Sequence, residues 1–574
     1  MHRTDTANVL IIGTGAAGWR AAIAATQAGV EARLIGKRPQ LDAHSVLASG
    51  GINAALGTRD PHDSWEQHFA DTWREGYQLG NPQMIEILAR ESPGAVLELA
   101  EWGCEFSRTE DGEIDQRFFG AHRWRRSCYA GDFTGRAIQR TLARKGSELG
   151  IRAQENQYVS RLLVADGACF GALAFDLATG ERTVHLADAV ILATGGHTRI
   201  WRRSSSRRDE NYGEAMSLAL DAGCRLMDME LVQFHPTGMV HPEEAAGTLV
   251  TEAVRGEGGH LLNALGERYM ERYDPVRLEL SSRDRVALAN YTEIAQGRGG
   301  PNGGVFLDIS HRGKAYITEK LPRMYRQFIE WQMLDISREP MEVAPTAHYT
   351  MGGIVVDPET HATAVRGLFA AGECVGGLHG ANRLGGNSLG EAIISGRRAG
   401  DAATAFALEG ERVTRSRHAI DASLDDLDDL TRPGDELARP LQRRLRDVMW
   451  ERCGVVRDEA GLREGLQHVG ALREAAARVD VRPGAEGWMD LAHALDLRGA
   501  LVVAEATLRG AIERRESRGA HYRADHPELD PDLRVNYRID ARMEPWATPV
   551  PPVPRELGEW VERPVELTAD RLLE

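Results

Sequence analysis

Five short stretches of the chain gather histidine, arginine, threonine and glutamate beside glycine. They are Gln233-Phe234-His235-Pro236-Thr237-Gly238, Thr251-Glu252-Ala253-Val254-Arg255-Gly256-Glu257-Gly258-Gly259, Ser282-Arg283-Asp284, Pro345-Thr346-Ala347-His348-Tyr349-Thr350-Met351-Gly352-Gly353 and His379-Gly380-Ala381-Asn382-Arg383-Leu384-Gly385-Gly386-Asn387-Ser388-Leu389. One such stretch could be structural, its histidine filling a polar core or capping a helix. Together they point to a glycine-lined, cationic, hydrogen-bonding site for a small anion, since the guanidinium fork matches a carboxylate in two bonds. Glu252 and Arg255 stand three apart, one turn if helical; by itself that pair reads as a surface salt bridge. The formal net charge is −16, so a local basic site must draw an anion in, and non-specific nucleic-acid binding is disfavoured.

The elements that must position these side chains begin at Val9. The apolar run Val9-Leu10-Ile11-Ile12 leads into Gly13-Thr14-Gly15-Ala16-Ala17-Gly18 and a helical segment through Ala28. A strand, a tight glycine turn and a helix N-terminus form a pyrophosphate site, where backbone amides meet the phosphate charge. A second strand, Ala32–Ile35, ends at Gly36-Lys37, without the acid that binds a ribose in NAD sites. Next comes the glycine-rich loop Ala43-His44-Ser45-Val46-Leu47-Ala48-Ser49-Gly50-Gly51-Ile52. As dinucleotide chemistry, this unit suggests FAD.

The 574 residues suffice for several domains, and 27% charged with 42% hydrophobic residues is ordinary for a soluble protein. The six cysteines are scattered, with no C-x-x-C pair to hold a cluster or zinc, and imply a reducing, cytoplasmic compartment. The first strand begins at once, leaving no room for a signal peptide. No apolar run approaches the ~18 residues that span a bilayer. A membrane is therefore expected to be reached only through a partner.

Further along, residues 61 to 104 read as helices, with Trp65, Phe69 and Trp73 on one buried face. Tyr158–Val164, Ala172–Phe175 and Ala189–Ala193, separated by Asp166-Gly167 and Thr179-Gly180, predict a meander. The last of these and Gly367–Ala371 are expected to complete one parallel sheet, with the segment between them inserted as a second domain. Substrate would meet cofactor in the cleft between the two. From about 400 the spacing is helical, with Asp421 to Asp435 expected as an acidic linker. Five prolines between 545 and 554 predict an extended surface segment.

Over nearly its full length the chain resembles the flavoprotein subunit of succinate dehydrogenase and fumarate reductase, within the L-aspartate oxidase superfamily. Glu516-Ser517-Arg518-Gly519-Ala520-His521 matches the C-terminal signature of that group. The resemblance implies an α/β fold. A Rossmann-like FAD-binding domain (1–235 and 346–405) would carry an inserted α+β capping domain (236–345), then a helical domain (406–525) and a C-terminal tail region (526–574). It implies a four-carbon dicarboxylate held by Arg383, His348, His235 and Thr251, with Arg283 as proton donor and acceptor and Glu252 and Arg255 as its relay. Cofactor contacts carried over are Gly13, Gly15, Gly18, Lys37, Ser45, Gly51, Glu373, Ser388 and Leu389, with His44 bonded covalently to FAD. The chain departs from the family pattern at Ser49, usually Gln or Glu, at Gly36, commonly Ser, and at Asn211-Tyr212-Gly213, where Gly-Asp-Gly is frequent and a cofactor-side carboxylate goes missing.

Phe119 before Gly120-Ala121 resembles the dehydrogenase and reductase clamp, where aspartate oxidases carry a glutamate suited to an amino group. Met351 and His44 follow the same branch. The reading is succinate:fumarate oxidoreductase, with L-aspartate oxidase second and a non-catalytic FAD-binding assembly subunit third. The resemblance further implies an iron–sulfur subunit and a membrane anchor, and so a peripheral place on the cytoplasmic membrane.

Overall fold

The computed structural model describes residues 2–563, apart from 120, 411, 412, 432, 485 and 486. Val9 to Ile12 are almost wholly buried because the strand Arg3–Ile12 lies at the centre of a seven-stranded sheet covered on both faces. The strand pairs in parallel with Ala32–Ile35 on one side and with Arg182–Leu192 on the other. Arg182–Leu192 serves two purposes. Its first half closes the antiparallel meander with Ala168–Asp176 and Gln157–Ala165, while Val190 to Leu192 pair in parallel with Leu368–Ala370. The sheet is thus completed by a strand 176 residues further on (368 less 192).

The helix Ala16–Gln27 packs against Asn387–Glu409 so closely that a side chain at Gly396 would meet the Ala17 backbone. Close contact brings the N-termini of both helices to the same edge of the sheet. On the helix Trp65–Glu75, Phe69 and Trp73 are buried and Trp65 partly so, as the fourfold spacing requires.

A second sheet pairs Val232–Met239, Met341–Thr350, Val305–Asp308 and His260–Leu262 in antiparallel order. It has its own apolar core, in which Val250, Leu261, Phe328 and Met341 take part. Its two longest strands run through positions 236 and 345. They carry His235 and His348 towards the first sheet.

Residues beyond 400 form the helices Arg417–Asp429, Ala438–Arg452, Glu459–Ala476 and Met489–Glu513. The acidic linker is a correction. Asp421, Asp425, Asp426, Asp428 and Asp429 belong to the first of these helices, whose N-cap Ser416 accepts the Ala419 amide and whose Ser423 and Leu427 face the core. The aspartates crowd its solvent side, where like charge is tolerated.

The tail is also more than a surface segment. Val535–Ile539 and Trp546–Pro549 pair with each other and join Leu226–Met227 and Gly353–Ile354 in a four-stranded sheet. Fully buried Arg514 fastens this region, bonding Asp228 at 3.0 Å and Glu230 at 2.8 Å. Glu516, Arg518 and His521 of the C-terminal signature belong to the same buried network, and their role here is structural. No helix among the described residues is long and apolar enough to cross a membrane.

Candidate active site

A long cavity follows the edge of the first sheet and ends beneath the second. Its cofactor-side wall includes Gly13, Gly15, Lys37, His44, Ser45, Gly51, Glu373, Ser388 and Leu389. Gly13 holds φ +121 against the Ala193 carbonyl, a place no side chain can enter. The helices Ala16–Gln27 and Asn387–Glu409 both open onto the cavity with no side-chain cap and no acid in the first turn. The first amides are taken, Ala16 by Ser45 Oγ at 3.1 Å and Asn387 by the Leu384 carbonyl at 3.2 Å, but each terminus still offers an anion the positive end of the helix dipole. These features fit FAD: one terminus suits the pyrophosphate, the other the electron-rich end of the flavin ring. Glu373 suits a ribose hydroxyl; burial raises its carboxyl to about 6, and it accepts the Thr350 amide at 3.1 Å.

Gly18 is not part of the wall. It stands inside the helix against the Gly13 carbonyl, so its smallness serves the turn. The missing carboxylate is a second correction. Glu214 lines the cavity one position past Gly213 and bonds Lys37 Nζ at 2.5 Å, and Glu210 lines it too. Lys37 also meets buried Asp496 at 3.5 Å, a residue of the helical region.

At the far end, residues from separate stretches converge. Arg283 donates to Glu252 Oε2 through Nε at 2.9 Å and lies 2.8 Å from it through Nη2. Its Nη1 donates to Gln233 Oε1 at 3.1 Å, and Arg383 Nη2 donates to the same oxygen at 3.1 Å. Two guanidiniums therefore share one amide oxygen. Arg383 Nε is buried with no hydrogen-bond partner among the described residues, and the guanidinium lies 4.3 Å from the Tyr349 ring centre. Burial, then the charge of Arg283, lowers its pKa to about 10.

His235 and His348 meet edge to face at 5.3 Å, and His348 Nδ1 is 2.8 Å from Ser205 Oγ. Burial and neighbouring cations hold both imidazoles well below their ordinary pKa, so they face the cavity neutral. Thr251 Oγ1 accepts the Ala253 amide at 3.3 Å, which leaves the hydroxyl hydrogen for a ligand. Phe119 closes one side, its ring against Gly50. Gly120, its neighbour in the clamp, lies outside the described residues.

Arg255 does not line the cavity. It sits behind Glu252 at 3.8 Å, fully buried, with Nη1 on the Glu279 carbonyl. The order Arg283, Glu252, Arg255 thus leads from the cavity inwards.

Four participants do not stand out in the sequence: Gln233, Ser205, Glu210 and Arg323. Gln233 stands two places before His235 on one strand, a spacing that could have suggested it. Ser205 and Glu210 lie in an irregular loop with no periodic signal. Arg323, from the second unit, donates to Ser49 Oγ at 2.9 Å across the cleft. Its approach uses the small side chain that departs from the family pattern.

An FAD-binding domain model matches residues 8–389, and a model of the fumarate reductase flavoprotein C-terminus matches 442–547. The chain belongs to the family of succinate dehydrogenase and fumarate reductase flavoprotein subunits. It is an FAD-dependent oxidoreductase of mixed α/β fold. It is 42% identical to one subunit of the fumarate reductase (CoM/CoB) of Methanothermobacter marburgensis, over 94% of this chain and 98% of that one. The succinate dehydrogenase flavoprotein subunit of Rickettsia bellii is 36% identical, covering 92% and 91%. Among solved structures, Sdh1 of Mycobacterium smegmatis in complex with UQ1 superposes with TM-score 0.87 at 40% identity, over 97% and 96%.

Proposed function

We propose that this flavoprotein interconverts succinate and fumarate, with the two carboxylates held by Arg383, His348, His235 and Thr251. The observation that carries this reading is the pair of buried guanidiniums, Arg283 and Arg383, converging on Gln233 beside two neutral imidazoles. Glu252 offsets the charge of Arg283, and the guanidinium left over, Arg383, calls for an anion. Arg383 contributes a fork for one carboxylate, and the neutral imidazoles and Thr251 contribute hydrogen-bond donors, each charge-assisted bond worth about 1.5–3 kcal/mol.

Bound FAD supplies the hydride chemistry. Arg283 exchanges the proton at the neighbouring substrate carbon. An arginine is a poor acid, with a pKa above about 12 in water. Its place supports the role: Arg283 lines the cavity and bonds Glu252 Oε2 through Nε at 2.9 Å, so Glu252 stands behind it to restore the proton. Arg255 connects Glu252 to the interior. In this reading residues 236–345 act as a capping domain that closes the dry site, and His44 holds FAD covalently. Electrons leave for an iron–sulfur subunit and a membrane anchor, which place the chain at the cytoplasmic face of a membrane. The family relationship supports an external electron carrier.

Phe119 decides the substrate. Succinate and L-aspartate share both carboxylates and differ by one ammonium. Against Phe119 that ammonium meets the Arg283 charge, and the carboxylate at this end, Glu252, already bonds Arg283. Cation–π contact would return only about 0.5–2 kcal/mol. The test compares kcat/KM for succinate and for L-aspartate on one preparation with an artificial acceptor. Succinate is expected to lead by roughly a hundredfold or more, from several kcal/mol of unpaired charge. A higher value for aspartate would move the chain to the oxidase branch.

A further inference from the structure

His44 is not alone at the cofactor. Its Nδ1 lies 2.8 Å from Oε1 of Glu210, a carboxylate only 4% exposed. Glu210 is itself held: the Arg207 amide donates to the same oxygen at 2.7 Å, and Arg207 and Arg38 bring guanidinium nitrogens to 3.6 and 3.7 Å. The residues on either side, Asp209 and Asn211, both take left-handed backbone angles, φ 64 and 57. A chain turned this way twice within three residues is fixed in direction, and the direction aims Glu210 at the imidazole. His44 is equally fixed. It opens the 3-10 turn His44–Leu47, and the Gly135 amide donates to the Ala48 carbonyl at 2.8 Å just beyond it.

We propose that Glu210 is the positioning residue for covalent attachment of FAD at His44; this rests on the reading of His44 given above. A carboxylate on Nδ1 retains the hydrogen there and leaves the lone pair on Nε2, the nitrogen that remains for the cavity. Attachment breaks one C–H bond of the flavin 8α-methyl group and forms one Nε2–C bond. The proton departs, the C–H electron pair enters the ring system, and fumarate or dioxygen then removes two electrons. The Nε2 lone pair makes the new bond, so positive charge develops on the imidazole. Glu210 faces that charge across a 2.8 Å contact. The same pull is already visible in the resting protein. Burial works to lower the His44 pKa, yet Glu210 outweighs it and holds the value above the ordinary range, so a ring protonated at Nε2 must give up that proton before its lone pair attacks. Glu210 in turn stays ionised, at about 2 despite its burial, through His44 and Arg207.

The experiment uses full-length protein, wild type and the variants Glu210→Gln, Glu210→Asp and His44→Ser, each incubated with FAD and fumarate. Covalent flavin is read over time as fluorescence that survives acid precipitation and denaturing electrophoresis. Total flavin is read by absorbance before denaturation. Glu210→Gln preserves size and removes charge, so attachment is expected to slow by about tenfold to a hundredfold with total flavin unchanged. Glu210→Asp is expected to recover part of that rate, which a merely structural wall would not do. Attachment at the wild-type rate in Glu210→Gln overturns the proposal while leaving His44 intact. Loss of total flavin in step with covalent flavin also overturns it, since Glu210 would then hold the cofactor and not orient the imidazole. Wild-type protein without acid-stable flavin removes the His44 reading and this proposal together.

Discussion

Arg283 and Glu252 give the sharpest separation between binding and chemistry. Replacing Arg283 by alanine leaves Arg383, His235, His348 and Thr251 along the cavity wall, so the dicarboxylate still has its holders. What goes is the group placed to exchange a proton. Positioned acid–base groups contribute about a hundredfold to ten-thousandfold, and kcat is expected to fall within that range. KM is expected to change only several-fold, because a transition-state interaction affects kcat and kcat/KM together. Glu252→Gln is gentler. It keeps the side chain's size, but the contacts to Arg283 at 2.8 and 2.9 Å lose their charge assistance. At about 1.5–3 kcal/mol this corresponds to roughly a tenfold to hundredfold drop in kcat. Fumarate reduction by a reduced viologen dye gives kcat, and the flavin absorbance shift on titrating fumarate gives binding separately. Near-normal kcat in Arg283→Ala would refute the proton path.

The other expectations concern the anion clamp and the buried histidines. Arg383→Ala is expected to weaken fumarate binding by roughly a hundredfold in the same titration, the loss of one charge-assisted bidentate contact of about 3 kcal/mol; unchanged binding would assign the clamp elsewhere. Acid is expected to destabilise the fold. His122 and His361 are held at about 4, His197 at about 3, and His68, His235, His348 and His521 well below the ordinary value, in each case first by burial. A depressed histidine contributes stability that is present above about pH 6.5 and is lost as pH falls towards its folded value, up to roughly 1.4 kcal/mol per pH unit for each. Asp228 at about 7, Glu373 and Asp496 at about 6, and Glu75, Asp63, Asp221 and Asp401, all raised first by burial, work in the opposite direction and offset part of this loss. The melting temperature is therefore expected to fall steadily from pH 6.5 to 5, which differential scanning fluorimetry reads; a flat profile would contradict the buried, neutral state of these rings.

How far the sequence can be read follows from which features are local. Val9-Leu10-Ile11-Ile12, the glycine turn and the helix after it form a local unit, legible without tertiary knowledge. So is the pairing of Val190 to Leu192 with Leu368 to Ala370, because strands buried on both faces are continuously apolar. Composition misleads at Asp421–Asp435. A run of aspartates looks like a linker, but every third or fourth position, such as Ser423 and Leu427, faces inwards, and this spacing is the better signal. The site divides in the same way. Histidines and arginines beside glycines stand out by type. Gln233 and Ser205 do not, since an uncharged side chain becomes important only when two arginines or an imidazole arrive from elsewhere. Glu214 is obscured because it stands one position past Gly213, as the first residue of the helix Glu214–Asp221. Arg323 and Ser49 could not be paired at all, because 274 residues separate them.

That last contact bears on how the two units cooperate. Arg283, Glu252 and Thr251 belong to the segment between the two long strands of the second sheet, Arg383 and Phe119 to the first unit, and His235 and His348 to the strands that join them. Arg283 and Arg383 bring two guanidiniums to the junction, where Glu252 offsets one of them, whereas the chain as a whole carries −16. Without an anion, the approach of Arg283 to Arg383 is opposed by like charge and moderated by the Gln233 amide oxygen they share and by Glu252, which bonds Arg283. A dianion between them turns that opposition into attraction, most strongly where water is least. On the proposed function, substrate held between them would be part of what keeps the two units together. On that same function, substrate binding and proton transfer meet at this junction, Arg383 holding the anion and Arg283 passing the proton, and a protein with a surface field that repels anions can still capture one there.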